Sequence, residues 1–90
     1  MPTLQSHPTP NPNSLKFTAS EGTFLDRGLA AFRSAGEAEG HPLGEPLFEV
    51  EGVIDVLVTP EFVTVTKTDG VAWGDVTPEV KAVLQEAVAS

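Results

Sequence analysis

Two short runs rich in β-branched residues, Val53–Val58 and Phe62–Thr68, limit the possible folds more than any other feature of this chain. Branched side chains pack well on a pleated surface and lose rotamer freedom in a helix. Only Thr59-Pro60-Glu61 separates the runs, and proline at the second position of a turn suits type I, which needs no glycine. Two consecutive strands are therefore predicted. Ile54, Val56 and Val58 should share one face of the first, and Val63 and Val65 one face of the second. The opposite face shows Phe62, Thr64 and Thr66, which are either partly exposed or covered by another element. Asp69-Gly70 then turns the chain.

A third strand is predicted where Leu15-Lys16-Phe17-Thr18 alternates apolar and polar residues, with Leu15 and Phe17 facing inward. Before it, Met1 to Pro10 is polar and holds three prolines, so it should be mobile or extended. Asn11-Pro12-Asn13-Ser14 is turn chemistry. Phe24, Leu25, Gly28, Leu29 and Phe32 have helical spacing, but a glycine inside a helix costs about 1 kcal/mol relative to alanine. Ser34 to Gly40 is small and acidic and reads as a surface loop.

Two helices are predicted. In Pro42 to Val50, Leu43, Leu47 and Val50 would share one face. Pro46 inside it would remove a backbone bond and clash with the Pro42 carbonyl, so this helix either starts at Pro46 or opens with an irregular turn. His41 is a weak N-cap type, and Gly52 suits the C-terminal stop. The last helix should be capped by Thr77, with Pro78 first and Glu79 opposing the positive end of the dipole. Its apolar stripe is Val80, Val83, Leu84, Ala87 and Val88.

The run Thr9-Pro10-Asn11-Pro12-Asn13-Ser14-Leu15-Lys16-Phe17 is followed in order by Pro42-Leu43, Leu47-Phe48, Gly52-Val53, Phe62–Lys67, Trp73 and Pro78. This series resembles the N-terminal domain of Nfu/NifU-type iron–sulfur cluster scaffold proteins, from Thr9 to about Val88. The chain departs from the family pattern at Thr59, where glycine is usual, and at His41, where a capping serine is usual. The resemblance implies an extended segment over Gly28–Phe32. With it the expected fold is α+β, a small four-stranded, largely antiparallel sheet with two helices packed on one face. The expected organisation is a flexible tail over residues 1–8 and one domain over 9–90.

In that family the cluster is held by a Cys-x-x-Cys pair on a separate downstream domain, and the N-terminal domain is described as iron-associated. This chain has no cysteine. Disulfides, thiol catalysis and thiolate ligation of a cluster are thereby excluded for it. The resemblance implies a stand-alone accessory module for iron–sulfur cluster assembly or delivery, with a cluster-assembly or recipient protein as partner. The alternative is a binding module of the same fold serving an unrelated partner.

No catalytic constellation is legible: no phosphate loop, His-x-x-x-His pair or Gly-x-Ser-x-Gly elbow occurs. An enzyme would have to rely on acidic side chains such as Asp26 or Asp55. His7 and His41 read as solvated, and a metal at His41 would need Glu37, Glu39 or Glu45. No catalytic, cofactor-binding or metal residue is therefore assigned. Thirteen acidic against five basic residues, net charge −8, disfavour nucleic acid as a partner. No apolar run approaches the roughly 18 residues of a membrane span. The N-terminus has neither a secretory pattern nor an Arg-rich one, so a cytoplasmic protein is expected. The motif's Asn11, Asn13 and Lys16 either shape the first turn and strand or present a docking edge to a partner. Trp73 is either a lid on the core or an interface anchor.

Overall fold

The computed structural model describes residues 3–25 and 27–89. In chain order the elements are β1 (Leu4–Pro8), β2 (Ser14–Ala19), β3 (Ala30–Phe32), α1 (Ala35–Ala38), α2 (Gly44–Phe48), β4 (Val53–Val58), β5 (Phe62–Lys67) and α3 (Trp73–Ala89). The strands form one sheet in the order β1-β2-β5-β4-β3, with every neighbouring pair antiparallel. The α+β class is as expected, with a fifth strand and a third helix added.

The fifth strand comes from the segment expected to be a tail. Leu4 to Pro8 pairs along its whole length with β2, from Leu4 opposite Ala19 to Pro8 opposite Leu15. Met1 and Pro2 lie outside the described residues. Pro8 is tolerated because of its place on the edge. The Ser20 amide donates to the Thr3 carbonyl at 2.9 Å. Alternation from that pair turns the nitrogen of Pro8 toward the free side, where no ladder bond is lost.

Registers define two faces. Leu15 opposes Val65, Phe17 opposes Val63, and Val56 and Val58 oppose the same two valines from β4. These side chains face inward, and Phe17, Val56, Val58, Val63 and Val65 are fully buried. Leu43 and Leu47 from the α2 region and Val76, Val80 and Leu84 from α3 complete the core. The other face carries His7, Lys16, Thr18, Phe62, Thr64, Leu57 and Asp55, and the described helices leave it open.

Ile54 does not share the face of Val56 and Val58. Val53 opposes Lys67 and Asp55 opposes Thr66, so one extra β4 residue is accommodated by a bulge. Ile54 is that residue and is 49% exposed, while Val53 takes the inward place.

The expected loop over Ser34–Gly40 contains the single turn α1. Ser34 caps it, accepting from the Glu37 amide at 3.2 Å, and the Glu37 carboxylate accepts from the Arg33 amide at 2.9 Å. Ser-x-x-Glu is the capping-box pattern, so the signal was present in the sequence.

The α2 helix begins at Gly44, which leaves Pro46 in the first turn, where a missing N–H costs least. His41 caps it with a ring nitrogen: Nδ1 accepts from the Leu43 and Gly44 amides at 3.1 and 3.0 Å. Gly44 must lack a side chain, because a Cβ there would stand 2.8 Å from the Phe32 ring.

The α3 helix starts four residues before the expected Thr77 cap, with Asp75 in its first turn. The Ala72 carbonyl accepts from the Asp75 and Val76 amides at 3.0 and 3.3 Å, and the helix continues through Pro78. Val76 thus joins the core stripe, one turn before Val80.

Phe17, fully buried on the second-from-edge strand, is a main anchor of the inner face. Phe17→Ala should cost about 3–5 kcal/mol, much of the stability of a domain this size. Denaturant unfolding measures it; a midpoint close to that of the parent would contradict the inward assignment.

Candidate functional site

The Asn-Pro-Asn turn between β1 and β2 is closed by its own side chains. The Asn11 side-chain oxygen accepts from the Asn13 amide at 2.9 Å, and the Asn11 carbonyl accepts from the Ser14 amide at 3.0 Å. The Thr9 hydroxyl accepts from the Asn11 amide at 3.2 Å and points at the carbonyls of Asn11 and Ser14, 2.9 and 3.1 Å away. The turn therefore holds its shape without help from a partner.

From this turn Asn13 reaches the end of β5. Its backbone carbonyl accepts from the Lys67 amide at 2.8 Å, and its side-chain oxygen accepts from Lys67 Nζ at 3.1 Å. Its side-chain nitrogen donates to the Asp69 carboxylate. One amide thus stands between a cation and an anion, its acceptor toward the first and its donor toward the second.

Lys67 is the reason this matters. It follows Val63 and Val65 on the inward face of β5 and is 7% exposed. A buried ammonium needs acceptors to offset lost hydration. Asn13 supplies one, the Thr68 carbonyl a second at 3.3 Å, and the Trp73 ring lies 5.7 Å from Nζ. Trp73 Nε1 in turn donates to the Pro12 carbonyl at 3.1 Å. Turn, strand and helix start are clasped together around one lysine. The Ser14 and Thr66 hydroxyls, 2.6 Å apart, add a bond on the neighbouring register pair.

Three of the four residues expected to meet a partner are brought together in this clasp. Asn13 is half-buried and bonded on three sides, Trp73 is half-buried against the core, and Asn11 is exposed at the tip of the turn. Lys16 is placed elsewhere: exposed on the open sheet face, with Nζ 4.7 Å from the centre of the Phe62 ring. Sequence reasoning missed Lys67 and Asp69. The available signal was parity, since alternation from Val63 and Val65 aims Lys67 at the core.

His7, expected in a mobile tail, sits in β1 with Nε2 2.9 Å from the Thr18 hydroxyl. Glu37 and Glu45 accept backbone bonds from Arg33 and Gly40. Among the described residues no group of three or more His, Cys, Asp or Glu is arranged to hold a metal ion. The chain's donor set, without cysteine, does not fit a thiolate-held iron–sulfur cluster. Asp55 lies on the open sheet face, and Asp26 lies outside the described residues. No described helix is long and apolar enough to cross a membrane.

The fold and clasp define a small α+β domain whose helices cover one face of an antiparallel sheet and whose Asn-Pro-Asn turn is locked to a buried lysine. A family model described as scaffold protein Nfu/NifU N terminal matches residues 4–90, and the chain belongs to that family. It is 39% identical over 87 residues to the mitochondrial NFU1 iron-sulfur cluster scaffold homolog of Drosophila ananassae, covering 97% of this chain and 30% of that protein. It is 36% identical over the same length to mitochondrial NifU-like protein 5 of Arabidopsis thaliana, covering 31% of it. The chain thus spans about a third of the length of the curated relatives it matches.

Solved structures agree on the fold. A NifU-like protein from Saccharomyces cerevisiae superposes with a TM-score of 0.85 at 24% identity, over 98% of this chain and 79% of that one. Protein SAV1430 from Staphylococcus aureus gives 0.70 at 26% identity, over 89% and 94%. The names of the curated relatives overturn the cytoplasmic expectation, since they place those proteins in mitochondria.

Asn13→Ala should leave the buried Lys67 ammonium short of an acceptor and lower stability by about 1–3 kcal/mol. Lys16→Ala, at an exposed site, should change it by less than about 0.5 kcal/mol. Thermal melts of both variants test the distinction; equal melting temperatures would mean that the clasp carries no stability.

Proposed function

We propose that this chain is a non-catalytic interaction module serving iron–sulfur cluster assembly or delivery, and that it does not itself ligate the cluster. The observation that carries the reading is the family match over residues 4–90 in a chain with no cysteine. The matched relatives are named iron–sulfur cluster scaffold homologs, and the matched part is about a third of each. Cluster ligation in this reading belongs to another polypeptide segment, because thiolates are the usual ligands and this segment has none.

The partner is a protein of cluster assembly or a recipient of the cluster. Asn11, exposed on the locked turn, and Lys16, exposed on the open sheet face, meet it directly. Asn13 and Trp73 contribute by holding the turn against β5 and α3, so that Asn11 is presented without ordering cost.

Two measurements test this. Anaerobic incubation with iron and sulfide, followed by desalting, should leave the visible spectrum featureless; a stable, stoichiometric chromophore would refute the non-ligating role. The tagged chain should co-purify with iron–sulfur carriers or cysteine desulfurase components. A Lys16→Ala variant should lose them while melting near the parent temperature. Retention of unrelated proteins alone would remove the assembly link.

A further inference from the structure

The helical layer of this domain is strongly polarised in charge. The α1 helix and its C-cap carry Glu37 and Glu39, α2 and its C-cap carry Glu45 and Glu49, and α3 carries Asp75, Glu79 and Glu86. The only basic side chain on these helices is Lys81. At 3.6 residues per turn Lys81 lies roughly 160° round α3 from Val83, on the flank away from α2.

Two open cavities lie end to end along the α2-facing flank of α3. One, about 530 Å³, has Phe24 and Leu43 as its floor and Pro46, Val83 and Ala87 on its walls, with Glu86 at the rim. Its floor is buried while its walls are half-exposed, so apolar surface is open to solvent in a concave place. The other, about 480 Å³, lies toward the start of α3 and is lined by Glu51, Asp75 and Glu79. All three carboxylates are exposed. The two groups on α3 are centred about eight residues apart, roughly 12 Å along the axis.

We infer that this crevice docks a segment of a protein partner that carries an apolar anchor and, about two helical turns away, a pair of Lys or Arg residues. The anchor enters between Pro46 and Val83, and the basic pair faces Glu79, Asp75 and Glu51. Charge selects this occupant. Phosphate-rich surfaces are repelled by the acidic flank, and so is a second copy of a chain with net charge −8. The apolar floor gains nothing from a bare cation, whereas an aliphatic side chain there removes exposed apolar surface from water. An amphipathic helix laid with its apolar face in a groove is a common peptide-recognition mode. The inference deepens the reading of the chain as an interaction module and rests on it, but not on the identity of the partner.

Selection of random 16-residue peptides displayed on phage against the folded chain tests it. Enriched sequences should combine an apolar anchor with Lys or Arg about two turns away. The synthesised peptide should shift amide resonances of Leu43, Glu79, Val83 and Ala87 in the labelled protein. Val83→Glu and, separately, a Glu79→Lys, Glu86→Lys double reversal should each weaken binding at least about tenfold. The double variant changes only exposed positions, so a preserved melting temperature excludes misfolding as the cause. No enrichment, enrichment of acidic peptides, or shifts confined to the open sheet face would overturn the inference. A groove-bound peptide without counterpart in iron–sulfur proteins would support the groove and count against the proposed assembly role instead.

Discussion

Strand β5 is hydrogen-bonded on both sides, and its inward face runs Val63, Val65, Lys67. That face cannot be apolar throughout, because its last position is a lysine buried in the same layer as two fully buried valines. The ammonium must be satisfied where it stands or the strand cannot end there. Asn13, the Thr68 carbonyl and the Trp73 ring satisfy it, and each comes from a different part of the chain. The β1–β2 turn, the sheet and the start of α3 are thereby held in one relative position. The same requirement explains why Asn13 points inward from a turn whose neighbours Asn11 and Pro12 are exposed.

The one-sided layering follows from the registers. The α2 and α3 helices supply their apolar side chains to the inner face, so their acidic residues are left on the outside of that layer. The other side of the sheet keeps hydroxyls, Phe62, Leu57 and Lys16, and only one acid, Asp55, on its strands. The domain therefore presents two chemically unlike surfaces: an acidic helical side with concave apolar ground, and an open sheet side that is close to neutral. Under the proposed function, the chain's contribution lies in these surfaces rather than in thiolate ligands.

Much of this was legible in the residues. The hairpin of β4 and β5 could be read from β-branched content and a proline turn, and the stripe of α3 from its spacing, because both signals are local. The capping box of α1 was local too, though the segment's small acidic composition pointed to a loop. The start of α3 was misplaced because Thr77-Pro78 is a good helix opening by itself, and only the contacts of Trp73 and Val76 extend the helix backward. The inward place of Ile54 was lost to a bulge, which depends on how β4 meets β5 rather than on either strand alone.

The sequence by itself determined the class of fold, the inward valines of the two central strands and the absence of thiolate chemistry, since periodicity and composition act within a few residues or over the whole chain at once. The tertiary structure alone decided three things. Leu4–Pro8 became an edge strand because β2 offered a free ladder. His41 became a helix cap because its ring reaches two amides. Asn13 became the partner of a lysine 54 positions away rather than a surface contact. Each depends on pairing between distant segments, whose closure entropy is recovered only when the whole sheet forms, and no local pattern encodes that.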